Sequence, residues 1–265
     1  MKEKKKLVVK IGTSSLTYPN GRLNFHRIEK FAKVLSAIHR DGRDVILVSS
    51  GSIAVGAGRM GMKKKPERLA EKQALAAIGQ AELIKIYQKF FDEHDQFVAQ
   101  VLLTKDGIVN PVRRNNAKNT LNALTLMGII PIINENDTVA TQEIEFGDND
   151  TLSADVAVLV EADLLVMLSD IDGLYSSDPR KNPDAKIIPM VMEITNEMEE
   201  SAKGAGSSFG TGGMMTKITA AKMCGAEGID TVIINGGNPD NIYKLLSGEE
   251  IGTLFVAGGK EINKS

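Results

Sequence analysis

Short apolar runs alternate with segments of helical periodicity along the whole chain. The runs have the length of buried strands, and the longer segments repeat apolar residues every three to four positions. Strands are predicted at residues 7–11, 45–48, 97–103, 129–133, 164–168, 231–234 and 253–256. Helices are predicted at 25–40, from 53, and at 68–91, 115–127, 152–160, 214–223 and 239–246. This alternation indicates an α/β protein with a mostly parallel sheet that helices cover on both faces.

The first two predicted strands end in small polar residues that open a helix. Lys10 lies just inside the end of the first strand and is followed by Gly12 and Thr13, and Ser50 and Gly51 follow the second strand. Loops of this kind expose backbone N–H groups at a helix N-terminus, where the helix dipole favours negative charge. A carboxylate and a phosphate would suit these loops equally well.

A polar crossover lies between the predicted strand at 129–133 and the predicted helix at 152–160. It contains carboxylate and amide side chains at Asn134, Glu135, Asn136, Asp137, Asp148, Asn149 and Asp150. Loops at this end of the strands are where open α/β sheets bind small ligands. An Asx-rich turn followed by a helix cap explains the same composition, because Asn and Asp favour both roles. The residues by themselves leave both interpretations open.

Two lysines stand beside glycine-rich loops. Lys10 belongs to the first loop, and Lys217 follows the glycine-rich stretch at 204–213. Either lysine taken singly is more typical of a solvated surface. A phosphate chain, however, needs this combination of cations, backbone donors and a carboxylate that orients the lysines or a magnesium ion. No Ser, His or Cys triad is apparent, and a carboxylate acceptor would need no general base because it is ionised at neutral pH.

Two nucleotide-binding fingerprints are excluded. The P-loop pattern GxxxxGK[ST] is absent from the sequence,. A GxGxxG pattern occurs at Gly56, Gly58 and Gly61, but it does not directly join a strand to a helix, and Lys-Lys-Lys-Pro follows at 63–66. The sequence therefore predicts neither a P-loop NTPase nor a Rossmann dinucleotide site.

Composition and charge give no sign of a nucleic-acid or membrane partner. The 265 residues suffice for one large domain, and a formal net charge of −2 provides no basic field,. The most apolar region, 156–168, is interrupted by Glu161 and Asp163, so no membrane span is predicted,. The lone Cys224 and a start without signal-peptide character are typical of a cytoplasmic protein,.

Six sequence blocks run in order along essentially the whole chain. They are VVKIGTSSL at Val8, LVSSGSIAVG at Leu47, PIINENDTV at Pro131, FGDNDTLSADVA at Phe146, LSDIDGLY at Leu168 and GTGGMMTKITAA at Gly210. Together they resemble the glutamate 5-kinase family of the amino acid kinase superfamily. The resemblance implies a three-layer αβα sandwich. It also implies ATP-dependent phosphorylation of the L-glutamate side-chain carboxylate to L-glutamyl 5-phosphate, the first step of proline biosynthesis, with Mg²⁺.

The resemblance implies catalytic and nucleotide-binding roles for particular residues. Lys10 and Lys217 would clamp the ATP phosphates, and Asp150 would orient the two lysines. It identifies no residue as a magnesium ligand. The implied ATP site comprises Lys10, Gly12, Thr13, Ser169, Asp170, Thr211, Gly212, Gly213, Met214, Met215, Thr216 and Lys217.

The resemblance also implies a glutamate site. Ser50 would offer a hydroxyl, Asp137 a carboxylate for the α-ammonium group, and Asn149 an amide for a carboxylate oxygen. The other residues implied in substrate binding are Gly51, Asn134 and Asp148.

The family resemblance implies one amino acid kinase domain over residues 1–265, with a glutamate-binding lobe at about 1–165 and an ATP-binding lobe at about 166–265. Many family members continue into a PUA domain, and we expect none here because the chain stops at Ser265. Homo-oligomer assembly, feedback inhibition by proline and coupling to glutamyl phosphate reductase are further expectations. The alternatives are another superfamily kinase with a different carboxylate or phosphate acceptor, and a non-catalytic sensor of proline or glutamate.

Overall fold

A mostly parallel sheet runs through the centre of the protein. The computed structural model describes residues 5–18, 22–62, 64, 66–139, 149–179, 182–203 and 213–258. The strands are β1 Lys6–Ile11, β2 Asp44–Ser49, β3 Val98–Leu103, β4 Ile130–Glu135, β5 Leu164–Ser169, β6 Met190–Val191, β7 Asp230–Asn235 and β8 Thr253–Phe255. Within the described residues these strands form one sheet in the order β3-β4-β2-β1-β5-β7-β8-β6. Neighbouring strands run parallel except β7 and β8, which confirms the predicted sheet.

Helices cover both faces of this sheet. They are α1 Thr13–Leu16, α2 Phe25–Arg40, α3 Ser52–Arg59, α4 Leu69–Asp92, α5 Lys105–Val109, α6 Pro111–Leu126, α7 Asn149–Leu159, α8 Asn196–Lys203, α9 Met214–Ala226 and α10 Asn241–Ser247. Along β1, Leu7 and Val9 face a core shared with α2 and α4, whereas Val8 faces a core shared with α6, α7 and α9. This alternation is the period of a strand buried on both sides. The predicted αβα sandwich is confirmed.

The order of the strands reverses at β1. The strand β2 pairs with one edge of β1 and β5 pairs with the other edge, so the chain winds first to one side and then to the other. In doubly wound sheets, ligands bind at such a reversal, outside the carboxyl ends of the strands. The polar loops that the sequence singled out follow those ends, which are Ile11, Ser49, Glu135 and Ser169.

The structure differs from the sequence-based prediction in several elements. The helix α7 begins at Asn149, so Asn149 and Asp150 belong to its first turn and not to a preceding loop. The helix α6 begins at Pro111, where the Asn110 side chain accepts hydrogen bonds from the two N–H groups after Pro111. Its first turns are polar, so hydrophobic periodicity does not mark them. The short elements α5, β6 and α8 were not predicted, because they hold too few apolar residues for a periodic signal.

The helix α4 has 24 residues and is the longest of the described helices. Its apolar stripe covers only one face, and charged residues such as Glu71 and Lys85 are exposed outside that stripe. None of the described helices combines the length and the apolarity needed to cross a membrane.

The helices α3 and α4 pack closely because glycines line their contact. A Cβ atom on Gly79 would lie 1.7 Å from the backbone oxygen of Ser52, and one on Gly56 would lie 2.0 Å from that of Leu75. Gly56 is the first glycine of the GxGxxG pattern and serves helix packing, whereas Gly61 lies beyond the end of α3. This agrees with the exclusion of the pattern as a dinucleotide site.

Gly79→Ala is expected to lower the free energy of unfolding by about 2 kcal/mol, because the added methyl group forces α3 and α4 apart. Gly225→Ala is the matched control, since no atom lies within 4 Å of a Cβ built on this glycine of α9. We expect the control to be neutral or slightly stabilising. Urea unfolding of both variants checks this prediction, and equal effects would contradict it.

Candidate active site

A buried triad of two lysines and an aspartate, which we call the lysine–aspartate triad, lies at the carboxyl end of β1. Lys10 Nζ is 2.6 Å from Asp150 Oδ1, and Lys217 Nζ is 3.0 Å from Asp150 Oδ2. Lys10 is 6% exposed, Lys217 5% and Asp150 0%. Lysine is almost never buried to this extent unless it is paired. The interpretation of each lysine as a solvated surface residue is therefore wrong, and both belong to one site.

Three elements bring the triad together. Lys10 lies two residues after Val8 on β1, so both side chains point to the same face of the sheet. This face is covered by the layer that contains α7 and α9,. Asp150 lies in the first turn of α7, and Lys217 lies in the first turn of α9. The two helices contact each other above β1, which places the carboxylate between the two ammonium groups.

The charges of the triad determine the protonation of its aspartate. Burial raises the pKa of Asp150, but the charges of Lys10 and Lys217, with hydrogen bonds from Lys10 and Thr216, more than offset burial and hold this pKa well below its usual range. Thr216 Oγ1 donates to Asp150 Oδ2 at 2.7 Å. Two ammonium groups and one carboxylate leave a net positive charge in a buried position, which favours an anionic ligand.

The N-terminal turns of four of the described helices meet around the triad. Gly12 precedes α1, and a Cβ atom on Gly12 would lie 3.5 Å from Lys10 Nζ. Gly51 precedes α3 in the left-handed conformation, with φ of 95°, and its Cβ would lie 3.5 Å from the Thr13 side chain. The first turns of α7 and α9 contribute Asp150 and Lys217. The positive ends of these helix dipoles, with their backbone N–H groups, suit a chain of phosphates.

An amide side chain joins the ends of β2 and β4 to α7. Asn149 Nδ2 shares its two hydrogens among three acceptors, which are the backbone oxygen of Ser49 at 2.8 Å, Ser50 Oγ at 2.9 Å and Asn134 Oδ1 at 2.9 Å,. A backbone oxygen only accepts hydrogen bonds, so this end of Asn149 is its NH₂ group. The amide donor expected to bind a substrate carboxylate is thus engaged inside the protein. Asn149 Oδ1 takes no part in these three contacts. As a hydrogen-bond acceptor, this oxygen suits an ammonium group.

Asp137 lies just beyond the end of β4 and is held by α3. Ser52 Oγ, in the first turn of α3, donates to Asp137 Oδ2 at 2.6 Å. The same helix follows the loop that carries Ser50, so the carboxylate lies beside that loop. Asp137 also lines a small cavity with Ala76 and Gln80 of α4. A carboxylate in this position can pair with the ammonium group of an amino acid.

The carboxyl end of β5 carries predicted nucleotide-binding residues. Ser169 Oγ donates to Asp170 Oδ1 at 3.2 Å, and the Ser169 backbone oxygen accepts from Gly236 N–H at 2.8 Å. Because β1 and β5 pair in parallel, these residues lie beside Gly12 at the carboxyl ends of the two strands. The start of α9 comprises Gly213, Met214, Met215, Thr216 and Lys217. Three predicted site residues lie outside the described residues: Asp148, Thr211 and Gly212.

Two residues of α4 that support the site were not identified from the sequence. Gln80 Oε1 accepts a hydrogen bond from Asn134 Nδ2 at 2.7 Å, and the Tyr87 hydroxyl lies 3.0 Å from Ser49 Oγ. Burial raises the pKa of Tyr87, and the hydrogen bond with Ser49 lowers it only in part. The apolar stripe of α4 indicated core or a subunit interface. The available signal is the spacing of these polar groups, seven residues or two helical turns apart, on a largely buried face.

The chain matches known proteins over most of its length. Residues 5–235 match the sequence model of the amino acid kinase family, and the chain belongs to this family. It is 54% identical to the glutamate 5-kinase of Clostridium perfringens over 97% of both chains. It is 51% identical to the glutamate 5-kinase of Listeria monocytogenes, over 99% of this chain and 97% of the relative. Identity to the glutamate 5-kinase of Carboxydothermus hydrogenoformans is 53%, over 98% of this chain and 70% of that longer protein.

Solved structures share the fold at low sequence identity. Isopentenyl phosphate kinase from T. acidophilum superposes with a TM-score of 0.63 at 22% identity, over 95% of this chain and 100% of that chain. UMP kinase from Bacillus anthracis superposes with a TM-score of 0.64 at 17% identity, over 97% of each chain. At this level of identity, the similarity establishes the three-layer fold. The substrate has to be inferred from the residues of the site.

Proposed function

We propose that the protein transfers the γ-phosphoryl group of ATP to the side-chain carboxylate of L-glutamate, forming L-glutamyl 5-phosphate for proline biosynthesis. The buried lysine–aspartate triad is the observation that carries this proposal. Its positive charge, where helix N-termini meet, supports binding of the ATP phosphates. Identity of 50–54% to proteins named glutamate 5-kinase supports glutamate as the acceptor.

The proposed reaction depends on alignment and charge stabilisation. The acceptor carboxylate is ionised at neutral pH, since its reference pKa is about 4.3. One of its oxygens forms a bond to the γ-phosphorus while the bond from that phosphorus to the ADP oxygen breaks, and no proton is transferred. Lys10 and Lys217 would stabilise the negative charge on the transferred group and the leaving oxygen. Asp150 would hold both ammonium groups in position, because each lysine contacts one of its oxygens.

The side chains of the site fit a magnesium ion that arrives with the nucleotide. The described residues contain no group of three His, Cys, Asp or Glu side chains that could hold a metal ion. Both oxygens of Asp150 pair with lysines, so this carboxylate already has its counter-charges. Magnesium keeps several waters and commonly binds through substrate phosphates. The ATP phosphates and water would therefore hold it, and its charge would add to that of the lysines.

Asp137→Ala is expected to raise the KM for L-glutamate by about tenfold or more, because a hydrogen bond to a charged group is worth about 1.5–3 kcal/mol. The KM for ATP should stay within about twofold of the wild-type value, since the nucleotide residues lie at β5 and α9. Ser52→Ala keeps the carboxylate and removes only its donor, so its effect should be smaller. Steady-state kinetics with each substrate varied in turn checks this, and equal increases in both constants would count against the role of Asp137.

Acceptor specificity tests the proposed function. The purified protein is incubated with ATP, Mg²⁺ and hydroxylamine, and with L-glutamate, N-acetylglutamate, L-aspartate or carbamate in separate reactions. Hydroxamate formed with L-glutamate alone supports the proposal. If hydroxamate formed only with another acceptor, the protein would still be a phosphoryl transferase, but its substrate would not be L-glutamate. If ATP stayed intact in every reaction, a non-catalytic sensor of proline or glutamate would explain the site better than a kinase.

The proposal extends to features that rest on the family resemblance. Residues at about 1–165 would hold glutamate and those at about 166–265 would hold ATP. The position of Ser50, Asn134 and Asp137 on one side of the triad, and of Ser169 on the other, supports this division. A homo-oligomer, inhibition by proline and coupling to glutamyl phosphate reductase complete the proposal.

A further inference from the structure

We propose that Gln80 of α4 is a positioning residue for the acceptor half of the site, and that it acts through Asn134 on Asn149. The inference rests on the proposed function, because it assigns Gln80 a part in binding L-glutamate. The three amides form a chain from α4 to the end of β4 and on to the first turn of α7.

Backbone groups fix the orientation of Asn134 and Asn149, and Asn134 in turn fixes that of Gln80. The Glu135 N–H donates to Asn134 Oδ1 at 2.9 Å, so the other end of Asn134 is its NH₂ group,. This NH₂ group donates to Gln80 Oε1 at 2.7 Å. Asn134 Oδ1 also accepts from Asn149 Nδ2 at 2.9 Å, and the Ser49 backbone oxygen fixes Asn149 in the same sense. The polarity of the chain follows from these contacts, with Gln80 as its final acceptor.

The oxygen of Gln80 keeps Asn134 in this orientation. Asn134 is 2% exposed, so its NH₂ group depends on a protein acceptor. A buried donor left without an acceptor costs more than an ordinary hydrogen bond contributes. Without the Gln80 oxygen, Asn134 would turn to satisfy its NH₂ group, and its Oδ1 would move away from Asn149. Asn149 would then lose a fixed orientation, and with it the oxygen that suits the ammonium group of an amino acid.

The backbone at Gln80 is well placed for this role. The preceding residue, Gly79, contacts the backbone of Ser52 so closely that a side chain there would overlap it. The helix α4 is therefore fixed against α3, whose first turn holds Asp137. Gln80 and Asp137 also line the same small cavity. A rigid support of this kind is what precise positioning of a ligand requires.

Gln80→Met tests the proposal because methionine has nearly the same length and removes the acceptor. The KM for L-glutamate is expected to rise about tenfold and the KM for ATP to stay within about twofold. Gln80→Glu keeps an acceptor oxygen and should raise the glutamate KM less than Gln80→Met. Gln88→Met, at an exposed position of the same helix, is the matched control and should keep both wild-type constants. A KM does not depend on the amount of folded enzyme, so partial unfolding does not obscure the result.

A double variant tests whether Gln80 acts through Asn134. If it does, Gln80→Met should add nothing to the glutamate KM of Asn134→Ala, whereas multiplying effects would overturn the proposed path. Wild-type constants for Gln80→Met, or equal increases in both, would overturn the positioning role. If Gln80→Met is folded but has no measurable turnover, retained affinity in calorimetric titration with L-glutamate would overturn it. A wild-type protein that forms no hydroxamate with L-glutamate would instead overturn the proposed function.

Discussion

Lys217→Ala should lower kcat by about a thousandfold or more and change the KM for L-glutamate by less than about threefold. The ammonium group of Lys217 is buried in the triad, where water screens its charge little,. We expect it to act on the charge that develops on the transferred phosphoryl group, and this charge is absent when glutamate alone binds. Steady-state kinetics of the variant at saturating ATP measures both constants.

The loss of Lys217 should leave the fold largely intact, because Asp150 keeps its ion pair with Lys10. Lys222→Ala is the matched control on the same helix. Lys222 is exposed and pairs with Glu199, so we expect its removal to leave kcat unchanged,. A Lys217→Ala variant with wild-type kcat would refute the catalytic role of the triad.

Asp150→Asn should lower the free energy of unfolding by about 3–5 kcal/mol, because it leaves two buried ammonium groups without their counter-charge. This is a large part of the roughly 5–15 kcal/mol that holds a typical protein folded. Asp240→Asn is the control, since Asp240 pairs with Lys30 at a partly exposed position and should cost at most about 1 kcal/mol,. Urea unfolding at neutral pH compares the two, and equal losses would contradict the structural importance of the triad.

The stabilisation that Asp150 provides should depend on pH in a definite direction. Its pKa is lowered in the folded protein from an ordinary value of 3.8. The contribution is therefore complete above about pH 5 and is lost as the pH falls towards the lowered folded pKa. The difference between wild type and Asp150→Asn should shrink in strongly acidic buffer, and a difference that grew on acidification would have the wrong sign.

The sequence predicts the sheet well because its strands are buried on both faces and appear as continuous apolar runs. The alternation of side chains along β1 explains the position of Lys10, which points to the same face as Val8, towards α7 and α9,. Hydrophobic periodicity predicts the start of α7 too late, because Asn149 and Asp150 are polar residues of its first turn and do not join the apolar period. The sequence therefore predicts that Asp150 orients the two lysines, but it does not predict that Asp150 lies within α7.

The support from α4 could not be predicted from the sequence. Gln80 and Tyr87 lie on a helix whose stripe is mainly apolar, and local periodicity does not reveal which strand end a polar group will reach. Their contacts with Asn134 and Ser49 depend on the close packing of α3 and α4 through Gly56 and Gly79. Long-range contacts of this kind follow from the assembled fold.

The most direct test of the proposed function follows the oxygen of the acceptor. L-Glutamate labelled with ¹⁸O in its side-chain carboxylate is incubated with the protein, ATP, Mg²⁺ and hydroxylamine, and the released phosphate is examined by ³¹P NMR. Hydroxylamine attacks the acyl carbon of glutamyl 5-phosphate, so phosphate leaves with the oxygen that joined it to the carboxylate. We predict that each phosphate released with hydroxamate carries one ¹⁸O atom. Unlabelled phosphate would show that water, and not the glutamate carboxylate, accepts the phosphoryl group, and would contradict the proposal.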